Sequence, residues 1–431
     1  MLYESSQRFG GVLLTERVDD CLVEAGPDSF LTEKPWAADL CRRLGLAHQL
    51  IGSNDLDRKT YILVRGKLVP IPDGLMFMIP TEFLSAFVSP LFSFNTKLRI
   101  IREWFHSPRA TNGDETVATL LERHYGTEML ERLVDPLLAG IYGGEVSQLS
   151  VRAVLPRFVD MESKYGSLGR GMVAARKSMK RSKEGSPSIF TSLKDGLQQL
   201  PQAIQMRLSA ESLRAGSPVR RIQREDRGWS VATSHRSDHF DAVIVATPAP
   251  VAATLLNVAS PELASELRAI PYSSSVTVTF GFGKEIRDSL PPGFGLLVPR
   301  NEGKRVLAVT FVHNKFPYRA PENCALIRYF LGGSRDEQVL QLSDDEIVRI
   351  GREELRQLLG VTAEPHFTRV YRWKCTMAQY TVGHLERLER IERLRQQLRG
   401  LALAGNGYRG IGVPDCIRSG EEAAAELMVS W

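Results

Sequence analysis

The order of apolar and polar positions divides the chain into strand-rich ends and a helical middle. Short apolar runs bounded by glycine or proline, typical of strands, occur near the start and throughout the second half. From about residue 81 to residue 180 the apolar positions recur at helical spacing instead. The pattern predicts an α/β chain, α+β overall, in which a helical section separates two strand-rich parts.

Several elements can be placed from local signals. Residues 61–71 alternate around Gly66, as a β-hairpin would, and Ser343 with Glu346 forms the capping box of a helix that ends at Gly360. Strands are predicted at 21–26, 219–222, 229–233, 241–248, 275–282, 306–313, 325–332 and 367–373. Helices are predicted at 115–125, 128–138 and 385–399, and within 34–50 with an end near Gly45.

The C-terminal segment carries the most specific chemical signal. It reads as a buried strand from Leu401, a loop with four glycines in the eight residues 405–412, and a helix that begins near Pro414 and Asp415. Glycine lets backbone amides approach a ligand, and a helix start offers unpaired N–H groups with a partial positive charge. We therefore expect this segment to hold a nucleotide-type cofactor.

The first residues fit the same interpretation. Residues 1–11 look like the second strand of a dinucleotide-binding unit, with Glu4 where a carboxylate binds a ribose hydroxyl. The glycine-rich phosphate loop of such a unit lies ~20 residues before that carboxylate. Because the sequence has no such loop, we expect that the natural N-terminus has been lost or the start codon misassigned.

Size, charge and cysteine content restrict the class of protein. A chain of 431 residues with 43% hydrophobic content should fold into two or three domains. The net charge of +5 is spread along the chain, which favours anionic small molecules or a membrane surface over nucleic acid. The five cysteines are scattered and include no C-x-x-C pair, which indicates a reducing compartment without a zinc or disulfide framework.

Two segments bear on membrane contact. Residues 83–96 carry no charge, but the segment is too short to span a bilayer and contains Pro90. It therefore either lies on a membrane surface beside basic residues or packs as helices in the core. No secretory signal precedes them, because Glu4 and Arg8 interrupt any early apolar run. The basic, serine-rich segment 176–188 is predicted to be a mobile solvated loop, with contact to anionic lipid as the alternative.

The histidines do not indicate a metal site. His235 and His239 stand in a polar, turn-like segment and are predicted to be surface residues. His384 is expected to pack or to form a hydrogen bond rather than to act as an acid or base. In the helix 385–399 the apolar positions Leu385, Leu388, Ile391 and Leu394 should face inward.

Taken in order, the motifs resemble those of the oxygen-dependent protoporphyrinogen and coproporphyrinogen oxidases, flavoenzymes of haem biosynthesis in the amine-oxidase-like group. The matching segments are 4–11, 24–30, 140–144 with 149–150, 192–197, 379–380 with 383–384, and the C-terminal glycine loop. The resemblance implies a discontinuous Rossmann-like FAD-binding domain (1–55, 189–260, 395–431), an inserted β-sheet substrate-binding domain (56–80, 261–394) and a helical domain that is a candidate for membrane association (81–188).

The resemblance also implies which residues bind FAD. Glu4 would bind the ribose and Val219 would offer its backbone to the adenine. The other cofactor residues implied are Ser5, Arg8, Gly10, Gly11, Val12, Gly26, Pro27, Asp28, Ser29, Asn406, Ile411, Gly412 and Val413. Arg58 and Lys59 lie where the family anchors a substrate propionate.

The implied chemistry is oxidation of a porphyrinogen by three hydride transfers to flavin, with O2 as acceptor and H2O2 as product, in the cytoplasm or at the inner face of the membrane. No catalytic side chain, metal or nucleic-acid partner is expected, and a homodimer is possible in this family. Three alternatives stay open: coproporphyrinogen III or protoporphyrinogen IX as substrate, another amine-oxidase-like flavoenzyme such as an amine oxidase or carotenoid desaturase, and an inactive porphyrin-binding remnant.

Overall fold

The computed structural model describes residues 1–109, 113–180 and 188–429. Its largest element is a seven-stranded sheet that contains one strand pair from early in the chain. From edge to edge the strands are Phe367–Ala378, Tyr272–Gly283, Cys324–Gly332, Ala308–Phe311, Gly295–Leu297, Thr60–Val64 and Lys67–Pro70. Neighbours are antiparallel except Gly295–Leu297 and Thr60–Val64, which are parallel.

One face of this sheet is covered by the helix Asp344–Leu359. The helix begins with the predicted capping box, since Ser343 accepts from the Glu346 backbone and Glu346 accepts from Ser343, and it ends at left-handed Gly360. Alternate strand residues such as Val278 and Phe280 pack with the helix in one buried cluster. The hairpin around Gly66 is confirmed, whereas the strand Gly295–Leu297 was missed because it is short and follows a proline- and glycine-rich segment.

Sequence-distant segments form the second strand-rich part. Leu2–Tyr3 pairs in parallel with Leu213–Arg214, and Val243–Val245 pairs in parallel with Leu401–Leu403. The C-terminal helix Val413–Val429 follows after the glycine loop. The helix His384–Gln396 buries Leu388 and Ile391 against the apolar cluster of this part, as predicted for that helix face. The domain boundaries expected from the sequence placed residues up to 394 in the substrate-binding domain.

The middle of the chain is helical, as predicted. Its helices are Phe83–Val88, Phe94–Glu103, Val117–Tyr125, Thr127–Met129, Asp135–Tyr142, Val151–Val154, Pro156–Tyr165 and Leu168–Lys180, with a π-helical turn at Leu130–Val134. The prediction of a loop from 176 was wrong up to residue 180, because the helix continues; residues 181–187 lie outside the described part of the chain. Within the described ranges, the helices are too short or too polar to cross a membrane.

Smaller elements complete the fold. The remaining strands are Thr15–Val18, Cys21–Glu24, Phe30–Leu31, Leu50–Gly52, Leu75–Met76, Ile79–Pro80, Phe190–Leu193, Arg221–Glu225, Gly228–Ala232 and Ser237–Phe240, and the remaining α-helices are Trp36–Arg43, Gln199–Gln205, Ala249–Leu256, Pro261–Arg268, Lys284–Ser289 and Val312–Lys315. The segment around His239 is therefore a strand and not a turn, because it pairs with Gly228–Ala232. His239 is nevertheless exposed, with Nδ1 2.9 Å from Glu225.

Candidate functional site

The segment Ala25–Ser29 is fixed by side chains of the large sheet. The carbonyl oxygen of Ala25 accepts hydrogen bonds from Thr277 Oγ1 at 2.8 Å, from Trp373 Nε1 at 2.8 Å and from the Arg328 guanidinium at 3.3 Å. All three donors lie on neighbouring strands of that sheet. The segment therefore has a defined position over the sheet although it forms no regular element of its own.

The N-terminal loop lies directly against this segment. The Ala25 amide donates to Leu14 O at 2.9 Å, and an ideal Cβ on Gly26 would overlap the carbonyl group of Val12. Gly26 is therefore required by a close approach of two backbones. Gly11, in the left-handed region at φ 54°, faces open space among the described residues, so its backbone is uncovered.

The C-terminal glycine loop is attached to the same two sheet strands. Asn406 accepts from Tyr272 Oη at 3.3 Å through Oδ1 and donates to Thr376 O at 2.7 Å through Nδ2. Tyr272 shares its strand with Thr277, and Thr376 shares its strand with Trp373. The loops that the sequence places at opposite ends of the chain thus meet at one edge region of the sheet.

A buried carboxylate organises the start of the last helix. Asp415 Oδ2 accepts from Lys34 Nζ at 2.6 Å and from the Gly412 amide at 3.3 Å. Leu13 of the N-terminal loop and Val413 at the helix start pack against the same apolar cluster. The predicted residues 10–12 and 411–413 therefore adjoin one apolar cluster, and the Lys34–Asp415 pair attaches the helix start to the segment that follows Phe30–Leu31.

Glu4 and Val219 follow the two strands of the short parallel pair, Glu4 directly after Leu2–Tyr3 and Val219 in the segment after Leu213–Arg214. Glu4 donates its amide to Arg214 O at 2.9 Å and accepts from the Ser217 amide at 2.8 Å. Its carboxylate accepts from the Ser6 amide at 2.8 Å. Tyr3, Val219 and Tyr408 pack against one apolar cluster, so Glu4 and the C-terminal loop belong to the same part of the molecule.

Three predicted residues have a different environment from the rest. Arg8 turns into its own loop, where its guanidinium donates to Leu13 O at 2.9 Å and Phe9 O at 3.1 Å. Arg58 and Lys59 are exposed just before the strand Thr60–Val64. The segment that precedes them is linked to Gly26–Ser29 indirectly, through Lys315. The Asn54 amide donates to Lys315 O at 3.0 Å, and the Lys315 side chain in turn reaches Asp28.

The sequence interpretation missed a cluster of cations around the Ala25–Ser29 segment. Lys315 Nζ lies 3.0 Å from Asp28 Oδ1, and buried Arg319 lies 2.7 Å from Glu24 Oε1. Burial by itself would raise the pKa of Asp28, but Lys315 and Arg328 outweigh it and hold that pKa well below its usual range. Three cations thus face two carboxylates. No local motif marks these residues, because only the tertiary fold brings the helix Val312–Lys315, the turn Pro317–Arg319 and the strand Cys324–Gly332 to the segment.

His384 supports the C-terminal loop, as predicted for a packing and hydrogen-bonding histidine. It is buried, its ring stacks on Tyr380 with centroids 4.2 Å apart, and its Nε2 lies 3.0 Å from Tyr408 O. Burial lowers the pKa of His384, so the ring is neutral near pH 7. Tyr380 Oη donates to Asn406 O at 2.7 Å and accepts from the Gly410 amide at 2.8 Å.

A group of potential metal ligands lies far along the chain, in the helical section. Glu103, His106 and His124 offer one ligand atom each within 4.8 Å of one another. The ring of buried His124 already has carboxylate partners on both sides, since Nδ1 lies 3.0 Å from Glu103 and Nε2 lies 3.1 Å from Glu162. Both ring nitrogens of His124 therefore have partners within the protein.

Comparison with known families matches almost the whole chain to one family. The model described as flavin containing amine oxidoreductase matches residues 1–428. A Bacillus subtilis (strain 168) protein named coproporphyrinogen III oxidase is 32% identical over 434 residues, covering 99% of this chain and 91% of that protein. Protoporphyrinogen oxidase 2, chloroplastic/mitochondrial, of Arabidopsis thaliana is 26% identical, covering 100% of this chain and 89% of that protein.

Solved structures agree on the fold. A crystal structure from Exiguobacterium sp. 255-15, provisionally described as a protoporphyrinogen oxidase, superposes with a TM-score of 0.89 at 30% identity, covering 100% of this chain and 92% of that chain. Cyclohexylamine oxidase from Brevibacterium oxydans IH-35A superposes with a TM-score of 0.69 at 19% identity, covering 99% and 92%. The second match bears on the fold alone.

Proposed function

This chain belongs to the flavin containing amine oxidoreductase family, and from that premise we propose that it oxidises a porphyrinogen. The substrate class is coproporphyrinogen III or protoporphyrinogen IX, with O2 as the final electron acceptor. The names of the relatives, which match over nearly the full chain length, support this substrate class. The single structural observation that carries the proposal is the convergence of both terminal loops on the strands Tyr272–Gly283 and Phe367–Ala378.

The converging residues suit FAD, the cofactor of this enzyme. Gly11 and Gly405 have positive φ and face open space among the described residues, so a ligand can approach both backbones closely. The helix start at Val413 presents a partial positive charge beside Gly412. Glu4 ends a strand that pairs in parallel, which is the position of a ribose-binding carboxylate.

We assign the cofactor contacts accordingly. Glu4 and Ser5 would hold the ribose, and Val219 the adenine. The flavin and pyrophosphate would lie between the two loop systems, against Arg8, Gly10, Gly11, Val12, Gly26, Pro27, Asp28, Ser29, Asn406, Ile411, Gly412 and Val413. Arg58 and Lys59 would meet the propionates of the substrate, since both side chains are exposed and cationic.

When bound, FAD supplies the redox chemistry, because it accepts hydride from a bridging carbon of the macrocycle and passes electrons to O2. The protein's own part is to orient and to tune. The Trp373, Thr277 and Arg328 contacts fix the Ala25–Ser29 segment, and the excess of cations behind it favours any negative charge that develops nearby. We assign no side-chain base to the reaction.

The test is a direct assay of purified protein loaded with FAD. We expect porphyrin fluorescence to rise with coproporphyrinogen III or protoporphyrinogen IX, with H2O2 formed alongside, and the ratio of kcat/KM values identifies the preferred substrate. Turnover of amines or polyenes without porphyrinogen turnover would instead favour another flavoenzyme of the family. A folded protein that binds no FAD in titration would instead be the inactive porphyrin-binding remnant.

We also propose that the enzyme is cytoplasmic and touches a membrane surface through the helices Phe83–Val88 and Phe94–Glu103. These helices and their flanks expose a set of large apolar side chains: Leu84, Phe87, Val88, Phe94, Leu98, Ile101 and Phe105. Lys97 lies over the Phe87 ring at 5.6 Å, which places a cation at the border of the patch. An anionic bilayer fits this combination of exposed apolar surface and positive charge.

Vesicle sedimentation tests the membrane contact. We expect the protein to sediment with phosphatidylglycerol vesicles and less with phosphatidylcholine vesicles. Replacing Leu84 and Phe94 by aspartate should abolish sedimentation, whereas Val258→Asp, at an exposed valine elsewhere, should preserve it. Equal sedimentation of all variants would contradict the assignment of this surface.

A further inference from the structure

Two of the scattered cysteines come into contact in the folded chain. Cys21 opens the strand Cys21–Glu24 and Cys324 opens the strand Cys324–Gly332, and their sulfur atoms lie 3.1 Å apart although 303 positions separate them in sequence. A disulfide bond measures ~2.05 Å, so about 1 Å of approach would join them. The cysteines are thus scattered in the sequence, but the fold brings two of them together.

The two thiols have different surroundings. Cys21 is buried completely, whereas Cys324 is half-buried and therefore within reach of a small oxidant. The hydrogen bond from Cys21 lowers the pKa of Cys324, helped by the nearby charge of Arg287, and the same hydrogen bond with burial raises the pKa of Cys21. Cys324 is thus the better nucleophile, and Cys21 is placed to react second.

We propose that Cys21 and Cys324 are an oxidant-sensitive thiol pair that hydrogen peroxide converts to a disulfide. The Cys324 thiolate attacks one peroxide oxygen, the O–O bond breaks, and a sulfenic acid and one water form. The Cys21 thiol then displaces the second water from the sulfenic sulfur, which closes the S–S bond. Two thiols lose two electrons and H2O2 gains two. That the enzyme's own turnover supplies the peroxide rests on the proposed function. The thiol chemistry itself does not depend on that function.

The disulfide would act on the candidate site through two strands. Ala25 follows Cys21 by four residues and Arg328 follows Cys324 by four residues, and the Arg328 guanidinium donates to Ala25 O. Drawing the two strand starts together therefore moves the segment whose position the site requires. We expect the oxidised enzyme to turn over its substrate at least twofold more slowly, with activity restored by dithiothreitol.

The decisive experiment uses the full-length protein with added H2O2 and no substrate, so that its result is independent of the proposed function. Digestion with trypsin and a glutamate-specific protease separates Cys21 from Cys41, and mass spectrometry then reads each thiol. We expect a linked Cys21–Cys324 peptide that dithiothreitol removes. Exposed Cys375 and buried Cys41 serve as internal controls for unspecific oxidation.

Serine variants of the two cysteines test the two steps separately. Cys324→Ser should prevent the cross-link, and Cys21→Ser should leave Cys324 as a sulfenic acid that dimedone traps. Where Cys21→Ser does not fold, the wild-type peptide map still decides. The proposal would be overturned if Cys324 were oxidised directly to sulfinic acid without a linked peptide. It would also be overturned if both thiols stayed free at a peroxide dose that oxidises Cys375. A linked peptide without loss of turnover would overturn the effect on the site.

Discussion

Replacing Gly26 by alanine tests the central contact of the candidate site. At this position the backbone of the Ala25–Ser29 segment passes directly over the carbonyl group of Val12. An added Cβ would lie 3.0 Å from the carbonyl carbon of Val12, with the oxygen nearer still. Non-bonded carbon atoms prefer ~3.5–4.0 Å, so the two loops must separate by about 1 Å.

The cost follows from the contacts that this separation breaks. The Ala25 amide to Leu14 O hydrogen bond, now 2.9 Å, would stretch beyond bonding range, which costs about 1 kcal/mol. Overpacking adds about 1–3 kcal/mol. If the total of about 2–4 kcal/mol is expressed in cofactor binding, the Kd for FAD rises roughly 30-fold to almost 1000-fold.

Titration of deflavinated protein with FAD, followed by flavin fluorescence, measures this change. Gly420→Ala is the matched control, because Gly420 lies within the C-terminal helix with open space in front of it among the described residues, and alanine should stabilise that helix slightly. A Gly26→Ala protein whose Kd stays within threefold of the wild type would refute the assignment of this contact to the flavin site.

Three further outcomes are expected. Glu4→Ala should weaken FAD binding about 10-fold or more in the same titration, because it removes a charged hydrogen-bond acceptor, whereas Glu211→Ala, at an exposed position, should leave the Kd unchanged. Tyr380→Phe removes the hydroxyl that joins Asn406 to Gly410; we expect a lower Tm and a higher Kd for FAD, and an unchanged Tm would contradict that role. Burial lowers the pKa of His313 from its ordinary 6.5 to about 4. The unfolded chain therefore binds a proton at higher pH than the folded chain does, and the free energy of unfolding falls by about 3 kcal/mol in total as the pH drops from 6.5 towards 4. His313→Gln should flatten that decline in Tm over pH 4–6.5, and a parallel decline in both proteins would show that other groups cause it.

Local signals sufficed where an element depends on its own residues. The capping box at Ser343 and Glu346, the hairpin at Gly66 and the inward face of the helix His384–Gln396 could be read directly, because neighbours in sequence create them. Apart from the loop predicted from residue 176, where the helix continues to residue 180, the elements that were wrong or missed lay where distant segments decide. His239 lies on a strand because another strand pairs with it, and Gly295–Leu297 becomes a strand by pairing with Ala308–Phe311 and Thr60–Val64 on its two sides.

The same distinction applies to the site. The sequence by itself indicated the cofactor class, because close backbone approach and helix starts need glycine and particular caps in a fixed local order, and the residues assigned to the cofactor stay a prediction. The tertiary structure alone decided which side chains support those loops. Arg328, Trp373 and the pair Cys21–Cys324 have no local pattern, since their contacts arise only when the large sheet packs against a segment hundreds of residues away in sequence.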